Sequence, residues 1–223
     1  MSTSRLVGMV LAMVLSFLGM IEMTAAQNVD LAVVLPNSGF ENDFSWWVKT
    51  IKNKNYVPAL TVVNPTIVPK GEMDPLLAPS GETGDNFVGI DSPRGKYING
   101  SLQHTAVERV FPRGTTFEIR VWGNRGRTAC SQAVSFPPTE PTELNVRLFG
   151  WGAGTMPVVN PNTDLWNRDP IMNLFQQFTD WGANGDWASQ IFVFAISVDV
   201  EYIGFQIVGK NHWGCAYVAF DLD

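Results

Sequence analysis

Thr116-Phe-Glu-Ile-Arg-Val-Trp122 sets Phe117, Ile119 and Val121 on one side of the chain and Glu118 and Arg120 on the other. A period of two is that of an antiparallel strand with one face buried and one in water. Strand-like runs recur between turn signals at residues 31–34, 56–63, 86–90, 100–110, 144–150, 188–197, 202–208 and 216–222. Many short strands at this spacing predict an all-β antiparallel sandwich rather than a βαβ architecture. One segment departs from the pattern. Asp169-Pro-Ile-Met-Asn-Leu-Phe-Gln-Gln-Phe-Thr-Asp180 opens with an acid and a proline, then sets Ile171, Leu174, Phe175 and Phe178 at helical spacing, which predicts one short helical insert packed on the sandwich.

Residues 1–26 carry an early positive charge at Arg5, an apolar run from Leu6 to Ile21 and small residues, Thr24-Ala-Ala26, before Gln27. These are the three parts of a secretory signal peptide, although Glu22 lies close to the expected cut and an uncleaved anchor is the alternative. No later stretch offers the roughly 18 apolar residues of a membrane span, so a secreted, soluble protein is expected. No repeat, charge block or linker divides residues 27–223, which are therefore read as a single β-sandwich domain. The formal charge is −6, and a chain this acidic without a basic stripe argues against a nucleic-acid partner. Both cysteines, Cys130 and Cys215, fall in the exported part, where an oxidising compartment permits a disulfide; two separate buried thiols are the other reading. The excursions at 64–84, 136–141 and 152–164 read as surface loops.

The case for an enzyme is thin. The only histidines are His104 and His212, each more naturally a hydrogen-bonded structural residue, and no nucleophile elbow, zinc-protease motif or phosphate-cradling loop is present. Asp164, Asp169, Asp180 and Asp186 could supply a glycosidase pair, but sequence does not give carboxyl separation.

Leu35-Pro-Asn-Ser-Gly-Phe-Glu41 followed by Trp46-Trp47, with the closing strand Tyr217-Val-Ala-Phe-Asp-Leu-Asp223, resembles the galactose-binding-like jelly roll of secreted carbohydrate-binding modules. Asn86-Phe-Val-Gly-Ile90, Phe111-Pro-Arg-Gly-Thr-Thr-Phe-Glu-Ile119 and Asp186-Trp187 ahead of Ile191-Phe-Val-Phe194 are similar to further strands of that superfamily. The resemblance implies a core role for Phe40 and a structural calcium at Glu41 and Asp221. Calcium, a hard cation taking six to eight oxygens, suits two carboxylates supplemented by carbonyls; a solvated turn acid and a strand-end charge are the plainer reading.

Sugar recognition needs aromatic faces for ring stacking and polar groups for hydroxyls. Among the tryptophans, Trp47 and Trp187 read as core, whereas Trp151 and Trp166 stand among small or polar loop residues and are expected to be more exposed. Trp151, Trp166, Asn167 and Arg168 are thus the candidate carbohydrate-binding residues, with loop packing as the competing explanation. The expected function is non-catalytic binding of extracellular or cell-surface polysaccharide. The alternative is a structural or adhesive subunit that self-assembles by lending Asn28-Val-Asp-Leu-Ala-Val-Val34 to a neighbour's sheet edge, against which stands a strand kept in its own domain.

Overall fold

The computed structural model describes residues 27–51, 60–63, 87–92, 98–127, 143–163, 165–182, 186–211 and 216–222. The expected signal segment, Asp164, His212, Cys130 and Cys215 lie outside the described residues.

Two sheets face one another. In chain order the elements are β1 (Asn28–Asp30), α1 (Leu31–Val34), β2 (Trp47–Ile51), β3 (Leu60–Val63), β4 (Phe87–Ser92), β5 (Ile98–His104), β6 (Val107–Phe111) and β7 (Thr116–Arg127). There follow β8 (Glu143–Trp151), β9 (Val159–Asn160), β10 (Leu165–Trp166), β11 (Met172–Gln177), β12 (Ala188–Ala195), β13 (Val200–Asn211) and β14 (Ala216–Leu222). The first sheet runs β1-β7-β14-β4-β3 with β12 on the other side of β7; the second runs β11-β8-β13-β5-β2 with β6 also on β13. Among the described residues all pairings are antiparallel except β1 with β7. The architecture is the expected β-sandwich.

Alternation along β7 is as the sequence predicts: Phe117, Ile119 and Val121 are buried while Glu118 and Arg120 are exposed. They meet Val146 and Leu148 of β8, Phe205 and Ile207 of β13, and Phe220 of β14 in one apolar core. Aromatic edges fill the gaps, as between Phe111 and Phe117, whose centroids are 4.8 Å apart. The resemblance-derived role of Phe40 holds, since its ring is buried against Trp47 and Phe220.

Two local expectations are overturned. Residues 172–177 form strand β11 rather than a helix. Met172 and Leu174 turn inward together with Gln176, whose amide reaches across the open side of the sandwich to the Val193 carbonyl on β12, 2.6 Å away. Residues 31–34 form the one short helix among the described residues, not a strand. Asp30 caps it by accepting the Ala32 N–H at 2.9 Å, and Leu31 is its buried anchor. Asn28–Asp30 pairs with β7 of the same domain, the intramolecular reading of that segment. No helix among the described residues is long and apolar enough to cross a membrane.

Candidate functional site

The outward face of the second sheet carries chemistry that the core face does not. On β8, Leu144, Val146 and Leu148 point into the core, so Glu143, Asn145 and Arg147 point away from it. Strand register then sets side chains in rows: Gln103, Gln206, Arg147 and Phe175 in one, and Val208, Asn145 and Gln177 in the next, with Lys210 beside Glu143 in a third. These rows converge on a cleft of about 200 Å³ lined by Glu143, Asn145, Arg147, Phe175, Gln177 and Lys210, together with Val208.

Within the cleft, Lys210 Nζ lies 2.6 Å from Glu143 Oε2, which also accepts a hydrogen bond from Asn145 Nδ2 at 3.2 Å. Asn145 Oδ1 and Arg147 Nε are buried with no hydrogen-bond partner among the described residues. The Arg147 guanidinium sits 5.4 Å from the centre of the Phe175 ring, and that side chain is 53% exposed. Gln206 Nε2 donates to Ser101 Oγ at 3.0 Å, fixing the amide that stands beside Arg147 in the same row. The site therefore combines an exposed ring, a charged fork and held amides, which can orient a polyhydroxylated ligand.

The four residues chosen from sequence do come together, at the far end of the same face. Trp151 meets Trp166 edge-on with centroids 4.6 Å apart, and Phe149 and Tyr202 complete a small aromatic cluster separate from the core. Trp151 is 0% exposed, so the expectation that it stands open to solvent is corrected: the β9-β10 hairpin folds Trp166 over it, and its Nε1 donates to the Arg168 carbonyl at 3.2 Å. Trp166 is half-buried. Asn167 closes the hairpin by accepting the Val158 N–H at 2.8 Å, and Arg168 clamps the 152–155 turn through the carbonyls of Gly152, Ala153 and Thr155. Tyr202 secures the same turn by donating its hydroxyl to the Gly154 carbonyl. Sequence reasoning passed over Glu143, Asn145, Arg147, Phe175 and Lys210. The signal available was the alternation Glu143-x-Asn145-x-Arg147 opposite Leu144, Val146 and Leu148, which marks a sheet face with an unusually varied polar side.

Beside His104 and the start of β2, Asn37 organises the 36–46 loop. Its side-chain amide donates to the Asp43 and Ser45 carbonyls, each at 3.0 Å, and its Oδ1 accepts the Asn42 N–H. Glu41 is exposed in this loop, while Asp221 is buried on β14, where its Oδ1 accepts the Leu222 N–H at 2.8 Å. Among the described residues no cluster of three or more His, Cys, Asp or Glu side chains could hold a metal. His104 is fully buried under the loop, with Nδ1 2.7 Å from the Thr105 carbonyl and Nε2 2.9 Å from that of Pro36. Burial holds its pKa below the ordinary imidazole value, against the opposing pull of the two carbonyls.

No family model and no curated protein matches the chain. Solved structures do resemble it. The enzymatically active domain of bacteriophage CBA120 tailspike protein 4 aligns at a TM-score of 0.51 and 10% identity, over 84% of this chain and 20% of that one. TmCBM61 in complex with beta-1,4-galactotriose aligns at a TM-score of 0.49 and 15% identity, over 85% of this chain and 97% of that one. A family 16 carbohydrate binding module gives 0.43 and 14%, over 85% and 99%. At these identities the likeness concerns the fold alone.

Proposed function

We propose that the chain is an exported, non-catalytic domain that binds carbohydrate across the outward face of its second sheet. The observation that carries this reading is the cleft in which the exposed Phe175 ring adjoins Arg147, Asn145 and Gln177. A pyranose needs an apolar surface for its C–H face and fixed donors and acceptors for its hydroxyls, and this cleft offers both on rigid strands. Trp166 and its hairpin would bound the cleft at one end, which leaves the sequence-chosen cluster a positioning role. Export is supported by Arg5, the apolar run and Thr24-Ala-Ala26.

A glycan-array screen of the purified protein, followed by calorimetry on any hit, tests the reading. Phe175→Ala and Asn145→Ala should each weaken binding about tenfold or more without a matching loss of melting temperature. Binding that survives both changes would move the site elsewhere, and a blank array from folded protein would remove the function.

A structural calcium at Glu41 and Asp221 belongs to the same proposal. Its support is the Phe40–Phe220 ring contact, centroids 6.1 Å apart, which holds the segments bearing the two acids against each other. Two carboxylates are few for calcium, so backbone carbonyls of the Asn37-centred loop would have to supply much of the oxygen shell.

A further inference from the structure

We propose that the glycan taken by this cleft is acidic, with an anionic group, a uronate carboxylate or a sulfate, seated on Arg147. The inference rests on the carbohydrate-binding reading of the face and adds the ligand's charge. Three charged side chains line the cleft: Arg147, Lys210 and Glu143. Lys210 and Glu143 neutralise one another in a 2.6 Å ion pair, and one positive charge is left, on Arg147. Arg147 has no ion pair with a carboxylate among the described residues; it lies against the Phe175 ring, and its Nε is buried with no hydrogen-bond partner there.

A buried guanidinium N–H left unpaired is costly, and a cation–π contact offsets only part of that. The planar fork of arginine matches a carboxylate or sulfate with two parallel N–H···O bonds, the strongest pairing it makes. Asn145 Oδ1, two residues away along β8 and also buried without a partner among the described residues, is an acceptor placed for a sugar hydroxyl beside that anion. The position of Arg147 is not the by-product of a basic protein, because the whole chain carries −6. That overall charge does not forbid the pairing: the screening length at physiological salt is about 8 Å, so the groups lining the cleft dominate what an oligosaccharide meets there.

The test is calorimetric titration of the full chain with three probes: oligogalacturonate, its carboxyl-reduced neutral counterpart, and a sulfated galactan oligosaccharide. The expected result is that one or both acidic probes bind roughly ten- to a hundred-fold more tightly than the neutral one, a preference that shrinks as salt is raised. Which acidic probe binds distinguishes carboxylate from sulfate. Arg147→Gln should bring the acidic-to-neutral ratio to about one while Arg147→Lys, which keeps the charge without the fork, retains part of it. Should Arg147→Gln fail to fold, the wild-type comparison of acidic with carboxyl-reduced probe and the Arg147→Lys ratio decide the matter. Neutral probes binding as well as acidic ones would overturn the acidic assignment and leave carbohydrate binding standing. An acidic preference unchanged in a folded Arg147→Gln protein would overturn the role of Arg147, and failure to bind any glycan would overturn both readings.

Discussion

Gly204 shows how tightly single positions are specified on the outward face. A Cβ built there would lie 2.9 Å from Trp166 and 3.0 Å from Trp151, so the indoles rest directly on the β13 backbone and only glycine leaves room for them. Gly204→Ala is expected to lose about 1–3 kcal/mol, read as a lower urea midpoint, because the two rings must shift off the sheet. No loss would mean that the hairpin moves freely over β13. His104 makes a second residue-level prediction. A neutral imidazole donates one N–H, so only one of the two facing carbonyls can be satisfied, and protonation inside the fold is opposed by burial. The folded-state pKa lies below the unfolded value of 6.5, so in that window the unfolded chain binds the extra proton. The contribution to stability is full above pH 6.5 and declines as pH falls towards the folded pKa. Thermal melts from about pH 8 to about pH 5.5 should show wild type losing more stability than His104→Gln. Parallel curves would show that this histidine does not titrate with folding.

Along β11 and β12, two sheet edges meet, and polar side chains close the gap that strands cannot. Gln176 bonds the Val193 carbonyl from one side; from the other, Gln190 Oε1 accepts the Thr179 N–H at 2.8 Å. Gln176→Ala and Gln190→Ala should each cost about 0.5–1.5 kcal/mol in denaturant unfolding, the net worth of such bonds. Losses indistinguishable from zero would show that the core alone holds the edges together. The same glutamine explains why β11 reads as a helix in the sequence. Met172, Leu174, Gln176 and Phe178 share the inward side, but the polar member breaks the visible alternation and leaves Ile171, Leu174, Phe175 and Phe178 to mimic a 3.6 period. The partner that makes Gln176 an inward residue is on β12, about seventeen positions away in sequence, beyond any local pattern. Residues 31–34 mislead in the opposite way: β-branched Val33 and Val34 suggest a strand, yet Asp30 caps a single turn too short to show helical periodicity. β7, β8 and β13, whose faces are settled by their own alternation or continuous apolar runs, are legible without tertiary knowledge. So is the gathering of Trp151, Trp166, Asn167 and Arg168, though not that one indole covers the other. The cleft was hidden because its rows form across strands, and register is not written in any one of them.

The two ends of the described chain are joined through a loop whose conformation is costly. Asn37, Phe40, Asp43 and Trp46 all have positive φ, at 57°, 57°, 56° and 73°. Asparagine and aspartate tolerate this region, but for Phe40 and Trp46 it costs on the order of 1–3 kcal/mol each, so the surroundings must impose it. Part of the constraint is visible: Asn37 bonds the loop from within, Trp47 Nε1 donates to the Asn37 carbonyl at 2.9 Å, and Phe40 is packed against Phe220 of β14. A calcium ion shared by Glu41 and Asp221 would add a constraint of the same kind, tying the loop to the middle of the first sheet. A ligand that binds only the folded state raises stability by RT ln(1 + [L]/Kd), about 2.7 kcal/mol when present at a hundred times its Kd. Because β14 lies between β7 and β4, releasing the ion should loosen the core rather than one loop, and the whole unfolding transition should move. Chelation is therefore expected to lower the melting temperature by several degrees, with recovery on adding calcium but not magnesium, which demands a tighter octahedral shell. In Asp221→Asn protein the melting temperature should be lower from the start and insensitive to chelator. A wild-type transition that chelator leaves in place would remove calcium and assign the strained loop to Asn37 and Phe40 alone.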